Sequence, residues 1–296
     1  MTHKISRLIF IVFFSFSVPL YAADKNIVFV SILPQKFFVE QIAGDFVDVR
    51  VMVEPGQVPE TYEPSQKKMA ALANAKLFFS IGLSFEKQLL KSITSTKIVA
   101  PIETGGYELK KVAGTNLNSE NNNEHEHEHE HEHEHEHDPH IWLDPLLVKQ
   151  HAKFIYLNLA KTYPSQKAMF QANYQQFEEK LSLLHFQIKA LFTNNSKNHF
   201  LIFHPALGHF AERYQLEQVS IEKEGKVPSA KYLSQLLNGI SKRDVQYILV
   251  EKQFSQKEAR TIAEAVKAKL LSIDPLAYSY FENMQDIASK VKQALY

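Results

Sequence analysis

Side chains that could bind a metal ion dominate the chemistry available to this chain. Seven histidines, His125, His127, His129, His131, His133, His135 and His137, alternate with seven glutamates between Glu124 and His137. Elsewhere, apolar stretches run directly into a possible cation ligand: Phe200 to Phe203 into His204, and Leu270 to Ile273 into Asp274. A third segment, Asp138-Pro139-His140-Ile141-Trp142-Leu143-Asp144-Pro145, has the same flavour. Cysteine is absent, so any metal site must be built from His, Asp and Glu, and disulfides are excluded. In open α/β sheets, ligands bind beyond the carboxyl ends of strands, which is where His204 and Asp274 fall. Each also has a plainer reading: His204 as a capped core histidine, Asp274 as the first residue of a turn before Pro275. Asp144 reads as the N-cap of a helix opening at Pro145, because Asp-Pro ahead of Leu146, Leu147 and Val148 is a good helix start.

The elements that must position these residues alternate between strand and helix. Asn26 to Ser31 and Val47 to Val53 are rich in β-branched residues, and Gln35 to Ala43 between them reads as a helix that stops at Gly44. The pattern continues with a strand over Ala75 to Ile81, a helix over Phe85 to Ile93 and a strand over Lys97 to Ala100. The second half has strands at Phe200 to Phe203, near Val219, at Tyr247 to Val250 and at Lys269 to Ile273. Helices at Ala206 to Tyr214, Ala230 to Ile240, Gln256 to Lys267 and Met284 to Leu295 accompany them. Such alternation predicts α/β architecture with two lobes, each a mostly parallel sheet flanked by helices. Between them, Ser165 to Phe192 contains neither Gly nor Pro and places Phe170, Tyr174, Phe177, Leu181, Leu184, Ile188 and Leu191 on one helical face. At 1.5 Å per residue such a helix reaches ~42 Å, so it is expected to be a rigid spine docked along both lobes. A coiled-coil dimer seam is the weaker alternative, since three heptads without continuation seldom suffice, and a monomer is expected.

The first residues carry Lys4 and Arg7, then an apolar run from Leu8 that continues with small interruptions to Leu20, then Tyr21-Ala22-Ala23. This has the form of a secretory signal peptide over residues 1–22, too short for the ~20 apolar residues of a membrane span. The expected organisation is an N-terminal lobe over 23–145, a helical segment over 146–192 with its long helix at 165–192, and a C-terminal lobe over 193–296. Net charge is zero, but it hides an asymmetry. Without Lys4, Arg7 and the eight acidic residues of 124–138, 31 basic residues face 25 acidic ones. No basic cluster interleaved with aromatics appears, so nucleic acid is not an expected partner. His125-Glu126-His127-Glu128-His129 satisfies the H-E-x-x-H pattern of zinc proteases, but that chemistry needs an amphipathic helix and the tract has no apolar residue. With no other catalytic fingerprint in the chain, an enzyme is not expected.

Several segments together resemble one family. Pro59-Glu60-Thr61-Tyr62-Glu63-Pro64 after Gly56, the Asp138 to Pro145 segment behind a His-rich insertion, and His204 followed by Phe210 and Tyr214 belong to the likeness. So do Pro228-Ser229, and Val250-Glu251 before Ile273-Asp274-Pro275-Leu276. These are similar to the periplasmic zinc- and manganese-binding receptors of ABC transporters. The resemblance implies a metal held by four side chains at the interface of two lobes tied by a long helix. It also implies delivery to an ABC-type permease in the inner membrane. A metal-dependent adhesin-like surface protein is the alternative within the same likeness.

Carried over position by position, the resemblance puts His140, His204 and Asp274 on three ligand positions. At the fourth, where zinc receptors of this kind usually have His, this chain has Glu60. The implied set is therefore two imidazoles and two carboxylates. Zinc accepts such ligands in tetrahedral geometry, and the Irving–Williams order favours it over manganese, so Zn(2+) is the expected transported ion. The His/Glu tract, within a loop expected over 115–138, has no apolar residue with which to join a core. Its histidines, His125, His127, His129, His131, His133, His135 and His137, are expected to provide weaker auxiliary zinc sites, because each bound ion must also order flexible backbone.

Overall fold

The computed structural model describes residues 26–96, 100–102, 138–222, 245–254 and 256–296. The expected signal peptide and the helix expected at Ala230 to Ile240 lie outside these residues. So do all seven histidines expected to form auxiliary sites: His125, His127, His129, His131, His133, His135 and His137.

Two four-stranded sheets, each entirely parallel, form the two lobes. The first has β1 (Asn26–Val30), β2 (Val47–Val51), β3 (Leu77–Phe79) and β4 (Ala100–Ile102) in the order β2-β1-β3-β4. The second has β5 (His199–Ile202), β6 (Glu217–Ser220), β7 (Tyr247–Glu251) and β8 (Lys269–Ile273) in the order β6-β5-β7-β8. Strands covered on both faces must be apolar along their length rather than alternating, and Val28, Phe29 and Val30 of β1 are all buried, as are Ile248, Leu249 and Val250 of β7. In register, Val28 stands between Val49 and Leu77, while Leu249 pairs with Ile202 on one side and Leu271 on the other. In both sheets the order reverses beside the first strand, between β1 and β3 and between β5 and β7, and a crevice opens at such a switch point.

Helices α1 (Leu33–Ala43), α2 (Gln66–Leu72) and α3 (Ser84–Thr96) belong to the first lobe. Next come α4 (Pro145–Thr162) and α5 (Lys167–Leu191), then α6 (Gly208–Arg213), α7 (Gln256–Val266) and α8 (Tyr280–Ala294) in the second lobe. Asp144 does cap α4, its carboxylate accepting the Leu146 N–H at 2.8 Å, and its other oxygen takes Arg213 Nε at 2.8 Å. The long stripe is also present: Phe170, Phe177, Leu181, Leu184 and Ile188 of α5 are buried. Leu191 is not. It remains 42% exposed, beyond the neighbours that cover the rest of the stripe. Helix α5 packs against α4, against α1 of the first lobe and against α8 of the second, so one continuous apolar core runs through both lobes.

Where the lobes meet, aromatic rings interlock. Phe38 meets Tyr280 edge-on at 4.9 Å, and Phe37 meets Phe281 at 5.6 Å. Tyr278 donates from its hydroxyl to Glu40 at 2.6 Å. Among the boundaries that differ from the sequence reading, two do so for identifiable reasons. The strand expected at Lys97 to Ala100 lies at Ala100–Ile102, with 97–99 outside the described residues. Pro101 within it has no N–H to give, which an edge strand tolerates. Helix α8 begins at Tyr280 rather than Met284, because Tyr280 and Phe281 are anchored in the interlobe cluster.

One buried polar knot ties α1 to the end of β1. Gln35 Oε1 accepts from the Ser31 N–H at 2.9 Å, and its amide nitrogen donates to the Phe79 carbonyl at 3.1 Å and to His151 Nε2 at 3.3 Å. Burial pushes the His151 ring down to about 4, since nothing close by balances a charge there. Below its unfolded value near 6.5, the unfolded chain takes up a proton that the folded chain refuses until about pH 4. His151 therefore costs stability progressively as pH falls from about 6.5 toward 4. Glu86 opposes it in an overlapping window, because burial raises its carboxyl to about 7. The effect of His151 is isolated by difference: His151→Phe should show a shallower loss of metal-free stability between pH 7 and 5 than the parent chain, in chemical denaturation. Parallel pH profiles would show that His151 is not the source.

Candidate metal centre

Three of the four expected ligands converge between the lobes. Glu60 sits in a short 3₁₀ turn, Pro59–Thr61, at the end of the loop leaving β2. That loop is set by a tight turn in which the Gln57 N–H bonds the Glu54 carbonyl at 3.1 Å, with Gly56 at φ +84°. Pro55 ahead of a positive-φ Gly is the residue pair such a turn requires. His140 stands just ahead of the turn Ile141–Leu143, whose Trp142 is buried and donates from its indole to the Pro275 carbonyl at 2.9 Å. His204 follows β5 directly, and the Phe203 N–H continues the ladder onto the Leu249 carbonyl at 2.8 Å. Glu60 and His140 thus come from the N-terminal half of the chain and His204 from the second sheet.

The Nε2 atoms of His140 and His204 lie 3.8 and 3.7 Å from the same Glu60 oxygen, Oε1. Ligand atoms of all three residues lie within 4.8 Å of one another, the one such group among the described residues. Four ligands around zinc at ~2.05 Å stand ~3.4 Å apart, so the two measured separations need close by only a few tenths of an ångström. His140 and His204 are buried, while the Glu60 side chain keeps 31% exposure and faces the mouth. His204 Nε2 is buried without a hydrogen-bond partner among the described residues, an arrangement a folded protein avoids unless something else occupies the lone pair. The cavity they share is also lined by Trp142, Phe254, Pro275 and Glu251, and encloses about 20 Å³. That is room for a single ion or water.

Each imidazole is fixed from behind. Asp138 Oδ1 holds His140 Nδ1 at 2.6 Å and also accepts the His140 N–H at 3.0 Å. Glu222 Oε2 holds His204 Nδ1 at 2.5 Å, and Phe254 stacks on the same ring at 4.6 Å. A carboxylate on Nδ1 keeps the proton there and leaves Nε2 as a free lone pair of raised basicity. Burial alone would push His140 down, but Asp138 and Glu60 together lift it to about 9. Burial likewise pushes Glu60 up, and the nearby His140 and His204 rings more than reverse this, holding its carboxyl below the ordinary value. Asp138 is in turn seated by the second lobe: its carbonyl oxygen meets His209 Nε2 at 3.0 Å, and a Cβ at Gly208 would meet its Oδ2 at 2.5 Å.

Asp274, the fourth expected ligand, is not brought into the group. Its Oδ1 accepts from Gln253 Nε2 at 2.8 Å and from the Leu276 N–H at 3.2 Å, and its Oδ2 faces Lys252 Nζ at 3.5 Å. It closes the turn after β8, the plainer of its two sequence readings. Sequence reasoning missed the supporting pair. Asp138 was visible two residues before His140, the spacing that lets a carboxylate reach both the ring and the backbone N–H. Glu222 could be located only once the parallel pairing of β5 with β6 was known, since it carries that ladder one step beyond its end. His125, His127, His129, His131, His133, His135 and His137 lie outside the described residues.

Two α/β lobes thus bring two imidazoles and a carboxylate together at one small cavity among the described residues. Residues 28–294 match the family described as ZnuA, zinc-uptake complex component A periplasmic, and the chain belongs to that family. It is similar to the zinc-binding protein AdcA of Streptococcus pyogenes serotype M6, with 30% identity over 263 residues, 86% of this chain and 51% of the relative. The chain thus spans about half the length of the curated streptococcal relatives it matches. Among solved structures, it superposes on the crystal structure of ZnuA with a TM-score of 0.78 and 32% identity, over 92% of this chain and 99% of that one. It is also similar to the Zn(II)-bound ZnuA-like domain of Streptococcus pneumoniae AdcA, with a TM-score of 0.73 and 25% identity over 91% and 98% of the two chains.

The supporting carboxylates generate a test. Asp138→Asn and Glu222→Gln keep the shape but lose the charge behind each ring, and each should weaken zinc binding about 10–100-fold in chelator-competition titrations. Unchanged affinity in both would mean that the rings are held by packing alone.

Proposed function

We propose that this protein is a periplasmic receptor that captures one Zn(2+) between its lobes and delivers it to an ABC-type permease in the inner membrane. The observation that carries the proposal is the convergence of His140 Nε2, His204 Nε2 and Glu60 Oε1 on one small buried cavity. The family description and the zinc in the names of two relatives support the choice of cargo. Two imidazole nitrogens and a carboxylate oxygen suit zinc. Export by cleavage of residues 1–22 fits the family's periplasmic description, and no helix among the described residues is long and apolar enough to cross a membrane. The His/Glu tract from His125 to His137 is proposed as a weaker reservoir upstream of Asp138.

A second cargo, Mn(2+), is favoured by one specific feature. Glu60 presents oxygen where a third imidazole would bias the site further toward zinc, and manganese prefers oxygen-rich surroundings.

Zinc at about 100 times its dissociation constant should stabilise the folded chain by about 2.7 kcal/mol, seen as a raised melting temperature. His140→Ala or His204→Ala should remove most of that shift, and Glu60→His should widen the preference for zinc over manganese in competition titrations. A full shift in both alanine variants would place the ion elsewhere.

A further inference from the structure

Glu60, His140 and His204 offer three donors, and a tetrahedral ion takes a fourth. Two further carboxylates stand beside the cavity, outside the group whose ligand atoms lie within 4.8 Å of one another. They are not equally free to turn inward. Asp274 is engaged on both oxygens, by Gln253 and the Leu276 N–H on one and Lys252 on the other. Glu251 lines the cavity, is 1% exposed, and has no hydrogen-bond partner for either oxygen among the described residues. The N–H groups of His204 and of Glu251 itself face its carboxylate, but neither makes a hydrogen bond of ordinary geometry.

Leaving a buried carboxylate without partners costs free energy that a packed interior normally avoids. A cation in the cavity supplies the missing partner. Position points the same way: Glu251 ends β7 and His204 follows β5, so the two flank the switch point of the second sheet, whereas Asp274 follows the edge strand β8. Glu also has one more methylene of reach than Asp.

On the reading that the cavity binds a divalent ion, we propose that Glu251 provides the fourth donor and that Asp274 serves as a latch holding Gln253 and the turn after β8. Glu60 and Glu251 then neutralise the two charges of the ion, and the site becomes two nitrogens from His140 and His204 with two glutamate oxygens. Turning Asp274 inward would instead break three contacts to gain one.

The test uses the full mature chain stripped of metal and titrated with zinc against a chelator. Glu251→Gln should weaken the tight site by more than about 100-fold, beyond the range typical of outer-shell changes, and should alter the visible spectrum of the cobalt-substituted protein. Asp274→Asn should cost less than about tenfold and leave that spectrum alone. Wild-type zinc affinity in Glu251→Gln, or a larger loss in Asp274→Asn, would overturn the proposal. His204→Ala separates this from the underlying reading: if it leaves the tight site intact, the cavity itself is not the site and the proposal falls with it. Should Glu251→Gln fail to fold, a crystal structure of the zinc-loaded wild type decides. A Glu251 oxygen about 2.0–2.2 Å from the ion supports the assignment, and an Asp274 oxygen there contradicts it.

Discussion

Two imidazoles can face each other across a gap, lone pair toward lone pair, only if each is gripped by its other nitrogen. Left alone, either ring would be free to turn. The hydrogen bonds donated by His140 Nδ1 to Asp138 and by His204 Nδ1 to Glu222 impose that orientation. Both are shorter than typical neutral hydrogen bonds, as charge-assisted contacts are. Their consequence is a pair of Nε2 atoms with one shared neighbour, Glu60 Oε1. The rest of the structure can be understood as the apparatus that brings two such imidazole–carboxylate pairs together.

That apparatus is rigid by construction. Helix α5 lies against α1 and α8 at once, and the rings of Phe37, Phe38, Tyr280 and Phe281 interlock across the lobe junction. Trp142 from the His140 segment donates to Pro275 beyond β8, and Asp144 from the same segment holds Arg213 of α6. His140 is therefore fastened to the second lobe as well as to the first, which keeps it and His204 3.8 and 3.7 Å from the shared Glu60 oxygen. The opening lies on the Glu60 side, where the most exposed of the three candidate ligands sits on a turn rather than on the sheet.

Much of the architecture was legible because parallel strands and amphipathic helices leave strong marks: β-branched apolar runs for the sheets, and the stripe from Phe170 to Ile188 for the spine. The candidate ligands were legible to different degrees. His204 is marked by the strand it follows and His140 by its segment, but the convergence of the two is a property of lobe packing that no local pattern encodes. Glu60 had neither strand nor helix to mark it, and only its place after the Gly56 turn singled it out. Asp274 shows the limit most plainly. A strand-end Asp before Pro is equally a turn cap, and the Gln253 and Lys252 side chains that favour that role come from the neighbouring strand's end. Glu251 carried no ligand signal in sequence at all, since its lack of partners exists only in three dimensions.

The ion's chemistry follows from this arrangement. A chain without cysteine has no thiolate to offer, so affinity must come from basic, pre-oriented imidazole nitrogens and from carboxylate charge in a small cavity. Two nitrogens and one oxygen are within reach of a single point with little movement, which confines the choice to borderline divalent cations. X-ray absorption at the zinc edge of the zinc-loaded protein tests this most directly. Scattering from two imidazoles is expected, with the remaining nearest neighbours oxygen, all at about 2.0–2.2 Å. A spectrum with three or more imidazoles would contradict it, because the additional rings would have to come from outside the cavity formed by Glu60, His140 and His204.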